Sequence, residues 1–210
     1  MEGEGSSAEA ALVAARMAEG DIARARPLAL DPAVAARRSG WDSIPARLHS
    51  AADALDAAAE IIDVARLVGR ERGRAQRSEI EELAEAMGGG RGTGAARNAL
   101  ATRHRREIRR VEEEVLAEAL GALGAFYRDV VAFRAGAREI VTNLDKIASV
   151  EAWAASSLSD AGLLAAAERC AGARAALTQN ANVALTLEAA LIDLVRLAPP
   201  PTTEEALPAG

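Results

Sequence analysis

"LTQNANVALTLEAALIDL", Leu177 to Leu194, is the stretch whose reading decides the fold. Its polar clump, Gln179–Asn180–Ala181–Asn182, interrupts residues that are otherwise those of an apolar helix. Asparagine accepts left-handed dihedrals at a helix C-terminus, and at an N-cap its side chain bonds the free N–H groups of the next turn. Asn180 is therefore expected to close one helix and Asn182 to open another. Beyond the turn, Val183, Leu187, Leu191 and Leu194 recur at three- and four-residue spacing and predict a buried row. The flank carrying Leu185 and Ile192 is apolar as well. An abrupt reversal between two apolar helices is the signature of a helical bundle.

Upstream, three further helices are expected, over about residues 95–135, 144–155 and 160–177. In the longest, Ile108, Val111, Val115, Leu123, Phe126 and Val130 form one face. Leu116, Leu120, Tyr127 and Val131 widen it, as in a helix touched by several neighbours. Before it lies "GGGRGTG", Gly88–Gly94, expected to be a mobile connector because glycine loses the most freedom on ordering. Ser78-x-x-Glu81 reads as a capping box opening a short helix to about Met87. Leu48, Ala52, Leu55, Ala59 and Ile62 predict an apolar stripe on a helix from Ala46 that stops near Gly69.

The cluster of Pro, Gly, Ser and Asp from Asp31 to Pro45 is the best candidate for a break. In front of it, Ser6-x-x-Glu9 should cap a helix ending at Gly20, and Asp21 a second one through "IARARPLAL" that Pro27 limits. "APPPTTEEALPAG" cannot continue a helix. The expected architecture is all-α: about five main helices in a bundle over residues 41–198, a short two-helix piece over 1–40, and a disordered tail over 199–210. No strand-period segment of useful length occurs.

Composition narrows the chemistry. Half of the 210 residues are hydrophobic and only 2% are aromatic, so helices are expected to pack through small side chains. All basic residues but Lys146 are arginine, a bias read as genomic base composition. A net charge of −6 argues against binding nucleic acid through overall charge, while leaving room for a local patch. The lone Cys170 excludes an internal disulfide and a thiolate zinc site, and is expected to be a small buried residue. Charges break every apolar run short of a membrane span, and "MEGEGSSAEA" lacks the basic start and apolar core of a signal peptide. A cytoplasmic location is expected.

Catalytic and ligand sites are sparse. "GGGRGTG" is not a phosphate-binding loop, since a helix precedes it and no Gly-Lys-Ser/Thr follows. His104-x-x-Glu107 reverses the order used in carboxylate-bridged bundle metal sites, so His49 and His104 are read as surface residues and no metal is expected. Arg103, Arg105, Arg106, Arg109 and Arg110 could grip phosphates. The favoured reading is a self-paired face, because Arg103–Glu107, Arg109–Glu113 and Arg110–Glu114 stand four apart with opposite charge. No nucleophile, base and orienting group can be assembled, so neither catalysis nor a cofactor or small-molecule substrate is expected.

Two stretches resemble a known family. "AARMAEGDIARARPLALD", Ala14–Asp31, resembles the lid end of the AAA+ clamp-loader subunits, with Arg24 at the place of that family's sensor-2 arginine. Ala23 and Arg26 depart from the pattern. "EVLAEALGALGAFYRDVVAFRAGA", "VTNLDKIA" and "RCAGARAALTQNANVALTLEAALIDLVRL" resemble the C-terminal collar domain of the delta-prime subunits of bacterial DNA polymerase III, of an actinobacterial type. The order carries the likeness: Phe-Tyr-Arg-Asp, then Asn-x-Asp, then Asn-x-Asn before a Leu-rich last helix.

The resemblance implies a non-catalytic assembly subunit of a DNA-directed DNA polymerase holoenzyme, a lid remnant followed by a collar. Its partners would be the other clamp-loader subunits, gamma/tau and delta, with DNA and the sliding clamp reached indirectly and no membrane involved. Candidate interface residues are Phe126, Tyr127, Val183, Leu185, Leu187, Leu191, Ile192 and Leu194. The alternatives are a gamma/tau-type C-terminal domain, or a helical nucleic-acid-binding module using the Arg103–Arg110 stretch.

Overall fold

The computed structural model describes residues 11, 14–16, 18, 22–86 and 93–200; these form helices joined by turns, with no strand among them. The helices are α1 (Ile22–Leu30), α2 (Pro32–Asp42), α3 (Ala51–Ala86), α4 (Thr93–Arg134), α5 (Ile147–Ala154), α6 (Asp160–Thr178) and α7 (Val183–Leu197), with short 3-10 turns at Pro45–Arg47, Arg138–Ile140 and Leu144–Lys146. The Ser6–Glu9 box, Gly20 and Asp21, residues 88–92 of the expected connector and 201–210 of the expected tail lie outside the described residues, whereas Thr93 and Gly94 of the connector belong to the first turn of α4.

Four helices close a ring: α3 packs on α4, α4 on α6, α6 on α7, and α7 back on α3. The α6–α7 reversal forms as its asparagines require. Asn180 takes φ 61°, the left-handed region. The Asn180 N–H bonds the Leu177 carbonyl and the Ala181 N–H that of Ala176, which together satisfy the last free carbonyls of α6. Asn182 Oδ1 accepts from the Leu185 N–H at 3.1 Å and opens α7. Gly136, at φ 77°, closes α4 with the same bonding pattern.

Three local expectations are corrected. The Asp31–Pro45 stretch is no break: Asp31 caps α2 through the Ala33 and Val34 N–H groups, Pro32 stands where its missing N–H is harmless, and Trp41, Ile44 and Leu48 run on into the core. The helix from Ala51 does not stop near Gly69, and Ser78-x-x-Glu81 lies inside it rather than opening a new one. The stripe on α3 is also rotated. Ala52, Leu55 and Ala59 are exposed, and the row that faces the core is Ala54, Ala57, Ala58, Ile61 and Ala65.

Close approach explains the last two differences. A Cβ on Gly69 would stand 2.4 Å from Glu112 Oε1, and one on Gly73 would stand 3.2 Å from Ile108 Cδ1. At both positions the glycine leaves room for a side chain of α4 against the α3 backbone. The alanine row of α3 keeps side chains short deeper in the bundle, where Leu would hold the helices apart. At the other end, Gly162 in the first turn of α6 meets the last turn of α7, and a Cβ there would fall 2.5 Å from the Leu197 carbonyl oxygen.

The centre is aromatic. Phe126, Tyr127 and Trp153 meet edge to face with centroids 5.2–5.8 Å apart. Each such pair adds about 0.5–1.5 kcal/mol to the burial of its rings. The core ends on α3 at Ala65 and begins on α4 at Val115. Beyond those residues the two helices continue as a paired arm, α3 reaching about 54 Å overall and α4 about 63 Å against about 22 Å for α7.

Gly162→Ala should destabilise the bundle by about 1–3 kcal/mol, since its new methyl meets a backbone carbonyl that only a helix shift can clear. Gly69→Ala should be neutral or slightly stabilising in urea denaturation, because only the Glu112 side chain must swing aside and alanine favours the helix by about 1 kcal/mol.

Candidate functional site

The "FYRD" and "VTNLDKIA" stretches meet in space. Asp129, on the last turns of α4, is buried, and its carboxylate accepts five hydrogen bonds of 2.7–3.1 Å. The donors are the Thr142 and Asn143 N–H groups, the Thr142 hydroxyl and the Asn143 side-chain amide. A buried carboxylate is tolerated only when its oxygens are occupied in this way. The segment between α4 and α5 is thereby held against the end of α4.

Asn143 passes the connection on. Its Oδ1 accepts from Arg38 Nη2 at 2.8 Å, which ties α2 to the bundle. Arg37 adds a bond to Glu118 Oε2 at 2.9 Å, Lys146 Nζ donates to Ser39 Oγ at 2.9 Å, and Arg16 Nη1 donates to the Val141 carbonyl at 3.2 Å. Nearby, Arg134 at the C-terminus of α4 caps another helix end. Its guanidinium donates to the carbonyls of Trp153, Ala154, Ser156 and Leu158 and to Asp160 Oδ1. It thus fills carbonyls that α5 leaves free, and joins α5 to the start of α6.

Beside this network lies an open groove of about 340 Å³, bordered by Asp42, Phe126, Lys146, Ser149, Trp153 and Pro200. The Asp42 side chain is 1% exposed and 3.9 Å from Arg38 Nε. Among the described residues neither of its oxygens has a hydrogen-bond partner. Burial pushes its carboxyl up to about 6; Arg38 opposes the shift and Asp145 adds to it. Arg38, Asp42, Asp129 and Asn143 were not singled out from sequence. The signal available was the Asp129 and Asn143 positions inside the matching motifs.

The expected interface residues divide. Phe126, Tyr127, Leu187, Leu191 and Leu194 are enclosed by this chain's own core, and Val183 and Ile192 pack at its edge. Leu185 is 65% exposed, and among the described residues of the C-terminal half Leu164 and Ile140 are the other exposed large apolar side chains. Burial raises the Tyr127 hydroxyl pKa far above its usual range and pushes the Cys170 thiol up to about 12, which leaves both un-ionised. Arg24 belongs to α1, and its side chain lies outside the described residues.

The arginine run is exposed at 103, 105, 106, 109 and 110. Its self-pairing is realised at Arg110–Glu114, 2.8 Å. Glu107 instead bonds Arg72 across the arm and accepts from Gln76 Nε2 at 2.8 Å, and Arg72 leads the groups that hold its carboxyl below the usual range. His49 is exposed, whereas His104 is buried between the arm helices, contrary to expectation. Among the described residues no group of His, Cys, Asp and Glu is arranged to hold a metal, and no helix is long and apolar enough to cross a membrane.

Residues 107–196 match the family model described as DNA polymerase III, delta subunit, C terminal, a clamp-loader family. The matched stretch runs from the arm of α4 to the last turn of α7, and so takes in Asp129, Asn143, Arg134 and the α6–α7 reversal. No curated protein and no solved structure matches the chain.

The elevated Asp42 value sets a pH dependence. Between about pH 4 and pH 6 the folded chain keeps a proton that the unfolded chain, with an ordinary carboxylate, has released. Stability from this group therefore falls as pH rises through that window, by about 1.4 kcal/mol per unit. Asp42→Asn removes the effect. Its stability advantage over the native chain should grow by on the order of 2 kcal/mol from pH 4 to pH 7. A difference that stays flat in urea denaturation across that range rejects the desolvated carboxylate.

Proposed function

We propose that this chain is a non-catalytic assembly subunit of a DNA polymerase III clamp loader, its C-terminal bundle mating with other clamp-loader subunits in the manner of a collar. The observation that carries the reading is the family match over residues 107–196, which covers three of the four helices of the ring. The subunit type is read as delta-prime, from the order of Phe126-Tyr127-Arg128-Asp129, Asn143-x-Asp145 and Asn180-x-Asn182; the family match favours delta, and gamma/tau is the next alternative. Residues 1–40 serve in this reading as the end of a lid, with Arg24 in the sensor-2 position, and the cytoplasm as the site of action. Gamma/tau and delta subunits are the direct partners, and the sliding clamp and primed DNA are reached through them.

The surface to test is the start of α7. Leu185 is exposed on a helix whose leucines at 187, 191 and 194 are buried and whose Leu197 is half-buried, so an apolar side chain there is available to a partner. The buried set shapes the bundle that presents it, which reassigns Phe126, Tyr127, Leu187, Leu191 and Leu194 from contact to support.

Leu185→Asp should leave the unfolding midpoint within the equivalent of about 0.5 kcal/mol and weaken co-elution with partner clamp-loader subunits in size-exclusion chromatography by tenfold or more. Leu191→Asp should cost several kcal/mol of stability, because it buries an unpaired charge. A native chain that remains monomeric with every clamp-loader subunit overturns the reading.

A further inference from the structure

One section of the arm formed by α3 and α4 beyond the core concentrates positive charge, bounded in sequence by Glu79, Glu81, Glu82 and Glu85 on α3 and by Glu112, Glu113 and Glu114 on α4. Residues 66–77 and 103–110 together hold ten arginines and two glutamates, in a chain whose net charge is −6. All ten arginines are exposed. The two stretches lie side by side, because Gly69 meets Glu112, Gly73 meets Ile108, and Arg72 bonds Glu107.

Those contacts also sort the arginines between the two flanks of the arm. Arg72 and Glu107 mark one flank. At 100° per residue, Arg66, Arg70, Arg74 and Arg77 fall within an arc of about 80° and are turned well away from Arg72. Arg105 and Arg109 are likewise turned away from Glu107. The six therefore share the opposite flank, with Arg109 level with the segment between Arg70 and Arg74 and Arg105 near Arg77. Arg66 has a partner in Asp63 at 3.7 Å, and Glu112 lies at the base of the strip beside Gly69. Among the described residues no ion pair engages Arg70, Arg74, Arg77 or Arg109.

We propose that this flank of the α3–α4 arm binds the phosphate backbone of a nucleic-acid duplex, through Arg66, Arg70, Arg74, Arg77, Arg105 and Arg109. Consecutive arginines on α3 rise about 6 Å apart, and the strip is about 16 Å long, enough to meet several phosphates of a duplex that carries one charge per about 1.7 Å of axis. Guanidinium forks suit phosphate oxygens. Neither stretch contains an aromatic residue on which an unpaired base could stack, so a duplex is favoured over a single strand. Binding is therefore to the backbone and independent of sequence. The proposal does not depend on the clamp-loader reading, and its test uses no partner subunit.

The test is fluorescence anisotropy of the full chain with a labelled 20-base-pair DNA duplex, from 50 to 200 mM salt. Contact with about five phosphates gives a log–log salt slope of about −4 to −5, a loss of roughly 10²–10³-fold over that range. Replacing Arg66, Arg70, Arg74 and Arg77 together by Gln should weaken binding more than tenfold, and replacing the same four by Lys should retain most of it. Gln at Arg103 and Arg110, on the Arg72–Glu107 flank, should change it less than threefold. Circular dichroism monitors the fold, and if the four-Gln set loses helix, Arg70→Glu and Arg74→Glu are read singly for the same loss. No duplex binding at 50 mM salt, equal loss from either flank, or stronger capture by phosphatidylglycerol vesicles or polyglutamate than by duplex overturns the proposal.

Discussion

The buried Asp129 carboxylate is the interaction on which the arrangement of the two halves depends. It sits at the end of the longest helix and takes the free N–H groups of Thr142 and Asn143, where the chain has left α4 and has yet to enter α5. A charge removed from water is expensive unless its oxygens are filled, and here the fold fills them with a single turn of backbone. Holding Asn143 in that position orients its side chain toward Arg38, which brings α2 down onto the bundle. The position of α2 is thus set by a carboxylate on another helix, 91 residues further along the chain from Arg38.

Small residues decide how tightly the helices lie around that point. The alanine row of α3, Gly124 against Cys170, and Gly162 against Leu197 let backbones approach without long side chains between them. Packing of this kind gains dispersion contacts over much of each helix, and makes each close position intolerant of added volume. With five aromatic residues in the chain, Phe126, Tyr127 and Trp153 concentrate the large apolar surface at one place beneath the Asp42 groove. The Asp42 carboxyl is costly to keep charged there, and Arg38, already engaged by Asn143, offsets only part of that cost.

Outside the ring, the α3–α4 arm follows other rules. Among the described residues it buries little apolar surface of its own: Gly69, Gly73, Gln76 and His104 are its buried points. Its register rests on the Glu112 and Ile108 side chains seated against Gly69 and Gly73 and on the Glu107 cluster of Arg72 and Gln76. Because Glu107 is drawn across to α3, the spacing that suggested self-neutralised pairs along one helix overstates the neutralisation. The section of the arm over residues 66–77 and 103–110 keeps a local excess of positive charge in an acidic protein.

The helical class, the α6–α7 reversal and the buried leucine row of α7 were legible in the sequence, because capping chemistry and three-four spacing are local and Asn180 and Asn182 obey the same backbone constraints in any protein. The family motifs around Asp129 and Asn143 were legible as an order of residues, without the reason for it. What only the tertiary structure decided was every question of whether a small residue ends a helix or allows another to approach it. Gly69 and Ser78 carry local stop and start signals, and the packing of α4 overrides both. Which face of α3 is buried, which helix claims Glu107, and on which flank the arginines gather were likewise decided by neighbours distant in the chain. Local periodicity does not contain those neighbours.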